Sequence, residues 1–146
     1  MTTDTISQEW MDALARSGAR QTGARRVIVE VITGSERALE PLQIFETGRK
    51  RYSGLGLVTV YRTLEKLEEL GLVARVHQPG GCNMYIKAAQ GHQHLMICTG
   101  CNRAEYFDGD DLGVLFQRIA GQSGFNVKDH WLQLFGLCKA CQNSAA

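Results

Sequence analysis

The sequence predicts an α+β chain in two parts: a helical first half closed by a β-hairpin, then a smaller mixed half in which strands flank one helix. Three observations predict it. Apolar residues recur at helical spacing as far as Leu70. Two short runs, "LVARVHQ" and "CNMYI", then face each other across Pro79-Gly80-Gly81, a turn signal. Beyond Lys87 the strand-like runs "HLMIC", "RAEYF" and "HWLQLF" surround a single helical pattern. At 146 residues the chain suffices for one ordinary domain or two small ones. The boundaries are set at 1–86, a hinge at 87–93 around "AAQGHQ", and 94–146.

Each element has its own signal. Trp10 and Leu14 mark a short first helix. Thr22 caps a second, with Val27, Ile28, Val31 and Ile32 on one face and Gly34 as its stop. Pro41 opens a third, which carries Leu42 and Phe45. In "LVTVYRTLEKLEELG" the stripe Val60, Leu64, Leu67 is buried, Thr59, Arg62 and Lys66 project away from it, and Gly71 ends the helix. Helices followed by a small hairpin make a winged helix-turn-helix, in which the fourth helix enters a major groove and the hairpin is the wing. In the second half, "DDLGVLFQRIAG" reads as a helix with Leu112, Leu115, Phe116 and Ile119 inward. Asp108, Asp110 and Asp111 are placed to cap and charge-balance its start. So small a unit needs a partner copy or a metal staple to stand.

Composition narrows the class. With 44% hydrophobic and 21% charged residues the chain folds rather than staying disordered. No apolar run nears the roughly 18 residues of a membrane span, and the polar start "MTTDTISQEW" is no signal peptide, so a cytoplasmic protein without membrane contact is expected. The net charge is only +1, yet four arginines and no acid lie between Arg16 and Val29, and Arg49-Lys50-Arg51 forms a second basic knot. Either cluster alone reads as a solvated face. Two flanking a helical pattern suggest a polyanion.

Five cysteines without a secretory leader point to metal rather than disulfides. Cys98-x-x-Cys101 and Cys138-x-x-Cys141 are matching pairs, and four thiolates give the closed tetrahedral sphere of a structural zinc. A redox motif needs no second copy. Cys82 is left over on the second wing strand, either as a small half-buried residue or as a thiolate ligand to a second metal.

The stretch "HQHLMICTGCNRAEY" adds histidines. In extended chain His92 and His94 point the same way and can close on one ion. Glu105 and His130 are nearby candidates, as are His77 and Cys82 of the wing. His77 reads first as a solvated residue, and His130, in phase with Leu132 and Leu134, reads equally as a core histidine.

These motifs together resemble the ferric uptake regulator family of metal-sensing bacterial repressors. "GARQTGARRVIVEVI" resembles its second-helix segment and "LVTVYRTLEKLEELGLVAR" its recognition helix and wing; "HQHLMICTGC", "GFNVKDHWLQLFGLC" and "CKAC" resemble its dimerisation domain. The resemblance implies a homodimer that binds an AT-rich inverted repeat of double-stranded DNA when a regulatory metal is loaded. It implies that Arg20 reaches into the minor groove, that Tyr61 and Arg62, beside Thr59, touch base edges, and that Arg25, Arg49, Lys50 and Arg51 hold phosphates. The chain also departs from the family. Ala38 replaces a common histidine before the third helix, and Ile86 follows Tyr85 where an acid or histidine is usual. A one-residue bulge after His94 would keep His92, His94 and Glu105 in the family's regulatory phase. Without it, His92 and His94 fall in the phase of the family's other site, with His130 as partner.

The reading is a metal-dependent DNA-binding repressor of metal-uptake genes. Zinc is the favoured effector because thiolate and imidazole suit it, with iron or manganese as the alternative. A zinc-dependent hydrolase would need an open site with a general base, and no H-E-x-x-H motif is present. A metal-storage or interaction module that has lost DNA binding is a second rival.

Overall fold

The computed structural model describes residues 2–78, 80–109 and 112–144, and the chain divides into two compact units, Met1–Ala88 and Ala89–Ala146. The first comprises α1 (Thr3–Arg16), α2 (Gly23–Thr33), α3 (Pro41–Arg51), α4 (Leu57–Glu69), β1 (Val73–His77) and β2 (Asn83–Lys87). α1 is longer than its two apolar markers suggest, because Ser7 and Met11 join Trp10 and Leu14 in the buried face. The hydroxyl of Ser7 is not wasted there: it bonds that of Thr33 at 2.7 Å, so both buried polar groups are paired across α1 and α2. Thr22 caps α2 by accepting from the Arg25 amide at 3.2 Å.

α3 packs on residues that the sequence expectation did not name. Its buried positions are Pro41, Ile44 and Gly48. Leu42 is 50% exposed and Phe45 is only partly covered. Pro41 fixes the entry of the chain, and the stripe then runs at helical spacing from it, leaving Leu42 about 100° off the core. The helix approaches its neighbours at backbone distance. A Cβ on Gly48 would stand 2.7 Å from Leu55 Cδ2 and 3.0 Å from Val27 Cγ1. Gly48→Ala is therefore expected to cost about 1–3 kcal/mol through overpacking, despite the roughly 1 kcal/mol that alanine gains in helix propensity. Urea unfolding reads the balance, and a stabilised variant would show that Leu55 and Val27 yield freely.

α4 buries Val60, Thr63, Leu64 and Leu67 and stops at Gly71, whose φ of 69° suits glycine. β1 and β2 pair antiparallel from Val73↔Lys87 to His77↔Asn83. Leu39 and Tyr85 exchange backbone hydrogen bonds of 2.9 and 2.8 Å, pinning the hairpin to the segment before α3. Four helices carrying a two-stranded antiparallel hairpin form a winged helix. The expected Pro79 of its turn lies outside the described residues.

In the second unit β3 (His94–Cys98) is central, with β4 (Ala104–Phe107) antiparallel on one side and β5 (Gln133–Gly136) parallel on the other. α5 (Leu112–Ser123) makes the crossover and α6 (Lys139–Ser144), absent from the sequence expectation, follows β5. The inward set expected for α5 is corrected: no described residue of it is buried, and Leu115 and Ile119 are exposed. Three short strands offer one helix too little surface to cover its apolar stripe. Val114, Phe125, Trp131 and Leu134 are exposed as well. Of the three expected capping aspartates, Asp110 and Asp111 lie outside the described residues, and Asp108 instead accepts from Gln93 Nε2 at 3.1 Å. Among the described residues no helix is long and apolar enough to cross a membrane.

Candidate metal centres and recognition surface

The two Cys-x-x-Cys pairs meet. Cys98 closes the central strand and Cys101 sits on the turn after it, where Asn102 takes a left-handed φ of 61°. Cys138 and Cys141 arrive from the end of β5 and from α6. The four sulfurs lie within 4.8 Å of one another. Cys101 and Cys138 are 3.8 Å apart, the edge of a tetrahedron with Zn–S bonds of about 2.3 Å. The Cys138 amide donates to Cys98 Sγ at 3.3 Å. Chiefly through that bond, with further help from the Cys101 and Gly100 amides, the Cys98 thiol is lowered to about 6. Hydrogen bonding to the Cys138, Cys98 and Cys101 sulfurs pushes Cys141 up to about 12. Backbone amides thus lower one thiol of the group, and neighbouring sulfurs raise another.

The histidines form a second group. β3 and β4 run in unbroken register from His94↔Phe107 to Ile97↔Ala104, so no bulge shifts the phase after His94. His92, His94 and His130 offer ring nitrogens that all lie within 4.8 Å of one another. The Nε2 atoms of His92 and His130 are 3.1 Å apart, close to the roughly 3.3 Å separating two nitrogens on one tetrahedral zinc. His94 is 2% exposed and its Nε2 has no hydrogen-bond partner among the described residues. An orphaned buried nitrogen costs about 1–3 kcal/mol, a cost that a metal ligand does not incur. Phe116 of α5 packs its ring 4.3 Å from that of His130.

The remaining metal candidates stand elsewhere. Glu105 is opposite Met96 in the register and pairs with Arg103 at 2.8 Å. His77 ends β1, exposed. Cys82, also exposed, precedes β2 rather than lying on it.

On the first unit the outer face of α4 presents exposed Val58, Tyr61 and Arg62, with Thr59 half-buried beside them. Arg20 is exposed, and Arg25 turns its guanidinium onto the Arg20 carbonyl. Arg49, Lys50 and Arg51 form the last turn of α3. Arg51 is paired with Glu30, and the Arg49 guanidinium lies 5.6 Å over the Phe45 ring. Lys50 is exposed. Val58 escaped the sequence reading because an isolated valine carries no charge or motif. Phe116 was assigned to the core.

The sequence profile of the ferric uptake regulator family matches residues 16–135. The chain belongs to the ferric uptake regulator family. Members of this family are transcriptional regulators, not enzymes, which removes the hydrolase reading. The regulator is 32% identical over 127 residues to the ferric uptake regulation protein of Cupriavidus metallidurans, covering 86% of this chain and 88% of that one. Among solved structures it resembles a zinc-bound manganese uptake regulator with a TM-score of 0.65 at 27% identity, over 94% and 99% of the two chains. It has the fold of a zinc uptake regulator complexed with zinc and DNA, with a TM-score of 0.72 at 21% identity over 99% and 98%.

Proposed function

We propose that this family member is a cytoplasmic, homodimeric repressor that binds an AT-rich inverted repeat when zinc fills the site of His92, His94 and His130. The observation that carries the choice of zinc is the donor set. Three imidazoles converge, and no described carboxylate joins them. All-nitrogen sites favour zinc over manganese and iron(II). The buried, unpartnered Nε2 of His94 fits a ligand role. Cys98, Cys101, Cys138 and Cys141 hold a second, structural zinc that leaves no coordination position free.

The apolar residues exposed on α5 and β5 are the surface that a second copy covers. On DNA, Arg62 pairs with a guanine edge and Tyr61 packs on a thymine methyl, with Thr59 alongside. Arg20 enters the minor groove. Arg25, Arg49, Lys50 and Arg51 hold phosphates and supply affinity without sequence information. Two winged units must present their α4 helices about one helical turn of DNA apart, roughly 34–36 Å. Metal selects that geometry to the extent that it binds it better than the others.

Fluorescence anisotropy on an AT-rich palindrome tests this. The protein keeps its thiolate-held zinc, and buffered zinc, iron(II) or manganese(II) is added back singly. Zinc at the lowest free concentration is expected to restore binding, and His130→Ala to need far more of it. Restoration by iron or manganese alone would move the sensing to a site with oxygen ligands such as Glu105. Metal-independent binding would end the switch.

A further inference from the structure

The loop after β4 passes directly over His94. The Phe107 ring lies tilted, 5.5 Å from the imidazole, Asp108 is held by Gln93, and the next residue is Gly109. A Cβ on Gly109 would stand 2.8 Å from His94 Cδ2 and 3.2 Å from its Nε2. We propose that Gly109 is a positioning residue of the imidazole site: having no side chain, it leaves the Nε2 edge of His94 open to a divalent ion.

The ring has nowhere to retreat. It is 2% exposed, with Phe107 on one side and the His92 and His130 rings 5.2 and 5.3 Å away. A carbon at 2.8 Å therefore displaces the imidazole toward the other ligands or turns its nitrogen away from their common point. The backbone gives no independent reason for glycine, since Gly109 is not among the residues with positive φ. Alanine is conformationally acceptable there, and the cost falls on the ring. Gly113 supplies a matched comparison nearby: a Cβ on it meets nothing within 4 Å.

The inference rests on the imidazole site proposed above, and one titration separates the two. Full-length protein carrying zinc on Cys98, Cys101, Cys138 and Cys141 is titrated with cobalt(II), whose visible band reports the ligand geometry. Wild type and Gly113→Ala are expected to take up one further cobalt per chain with the same band, and His94→Ala to lose it. Gly109→Ala is expected to bind it about 10- to 100-fold more weakly, with a shifted band, and to retain its cysteine-held zinc and circular dichroism. If Gly109→Ala matches wild type in affinity and band while His94→Ala fails, the role of Gly109 is overturned and the site stands. If wild type takes up no further cobalt, or His94→Ala binds it normally, the site itself falls and the role of Gly109 with it. Loss of the cysteine-held zinc in Gly109→Ala would also overturn the proposal, because the glycine would then serve the fold and not the ligand.

Discussion

Replacing Cys138 by serine, or removing zinc with a strong chelator, is expected to abolish the second unit as a folded body while the first keeps its helices. The physical basis is how little that unit buries. Among the described residues, those buried in it are His94, Leu95, Ile97 and Cys98, all on one strand. Two buried apolar side chains cannot offset the conformational entropy of ordering the unit. A zinc held by the four thiolates would supply folding free energy and would join the central strand to α6. Near-ultraviolet circular dichroism and light scattering check the outcome: the variant should lose the second unit's signal and the dimer together. A Cys138→Ser protein that stays dimeric with an intact sheet would refute the staple. Protons compete with zinc for the four thiolates, so chelator challenge should release zinc faster at pH 6 than at pH 8.

The parts of this regulator that follow one-dimensional rules were legible in its sequence. α4 has its buried stripe and terminal glycine where periodicity puts them, and Thr22 caps α2 as its chemistry demands. The paired Cys-x-x-Cys motifs bring their sulfurs together, as their matching spacing predicts. What stayed illegible depends on neighbours. The phase of α3 is set by Gly48 against Leu55 and Val27, and a glycine has no apolar signature to count. The stripe of α5 reads as core in sequence, but one chain offers no second layer to bury it. α6 is only six residues long and has no apolar stripe to announce it. Whether Glu105 or His130 stands beside His92 and His94 turned on a single residue of register, which only the pairing of β3 with β4 supplies. Gly109 is a matter of contact alone.

Arg62→Ala is the substitution expected to hurt DNA binding most, and it also separates a repressor from a metal-storage module. Arg62 is exposed on α4, one turn beyond Val58 and next to Tyr61, while the same helix anchors itself through Val60, Leu64 and Leu67. The change therefore removes a guanidinium without disturbing the core. A good bidentate arginine–guanine contact is worth about 1–3 kcal/mol. A symmetric dimer uses it twice, so about 2–6 kcal/mol is lost, which is roughly a 30- to 10⁴-fold rise in Kd. Metal content and unfolding should not change. Salt dependence tells the two kinds of contact apart: loss of a base contact leaves the slope of log K against log salt nearly unaltered, whereas loss of a phosphate contact makes it shallower by about one per site. Lys50→Ala is the comparison for that second behaviour, weakening all sequences alike. If Arg62→Ala binds the palindrome as wild type does, α4 is not the reading element. If it binds weakly but with a shallower salt slope and unchanged base preference, Arg62 is a phosphate clamp, and sequence reading passes to Tyr61 and its neighbours Thr59 and Val58.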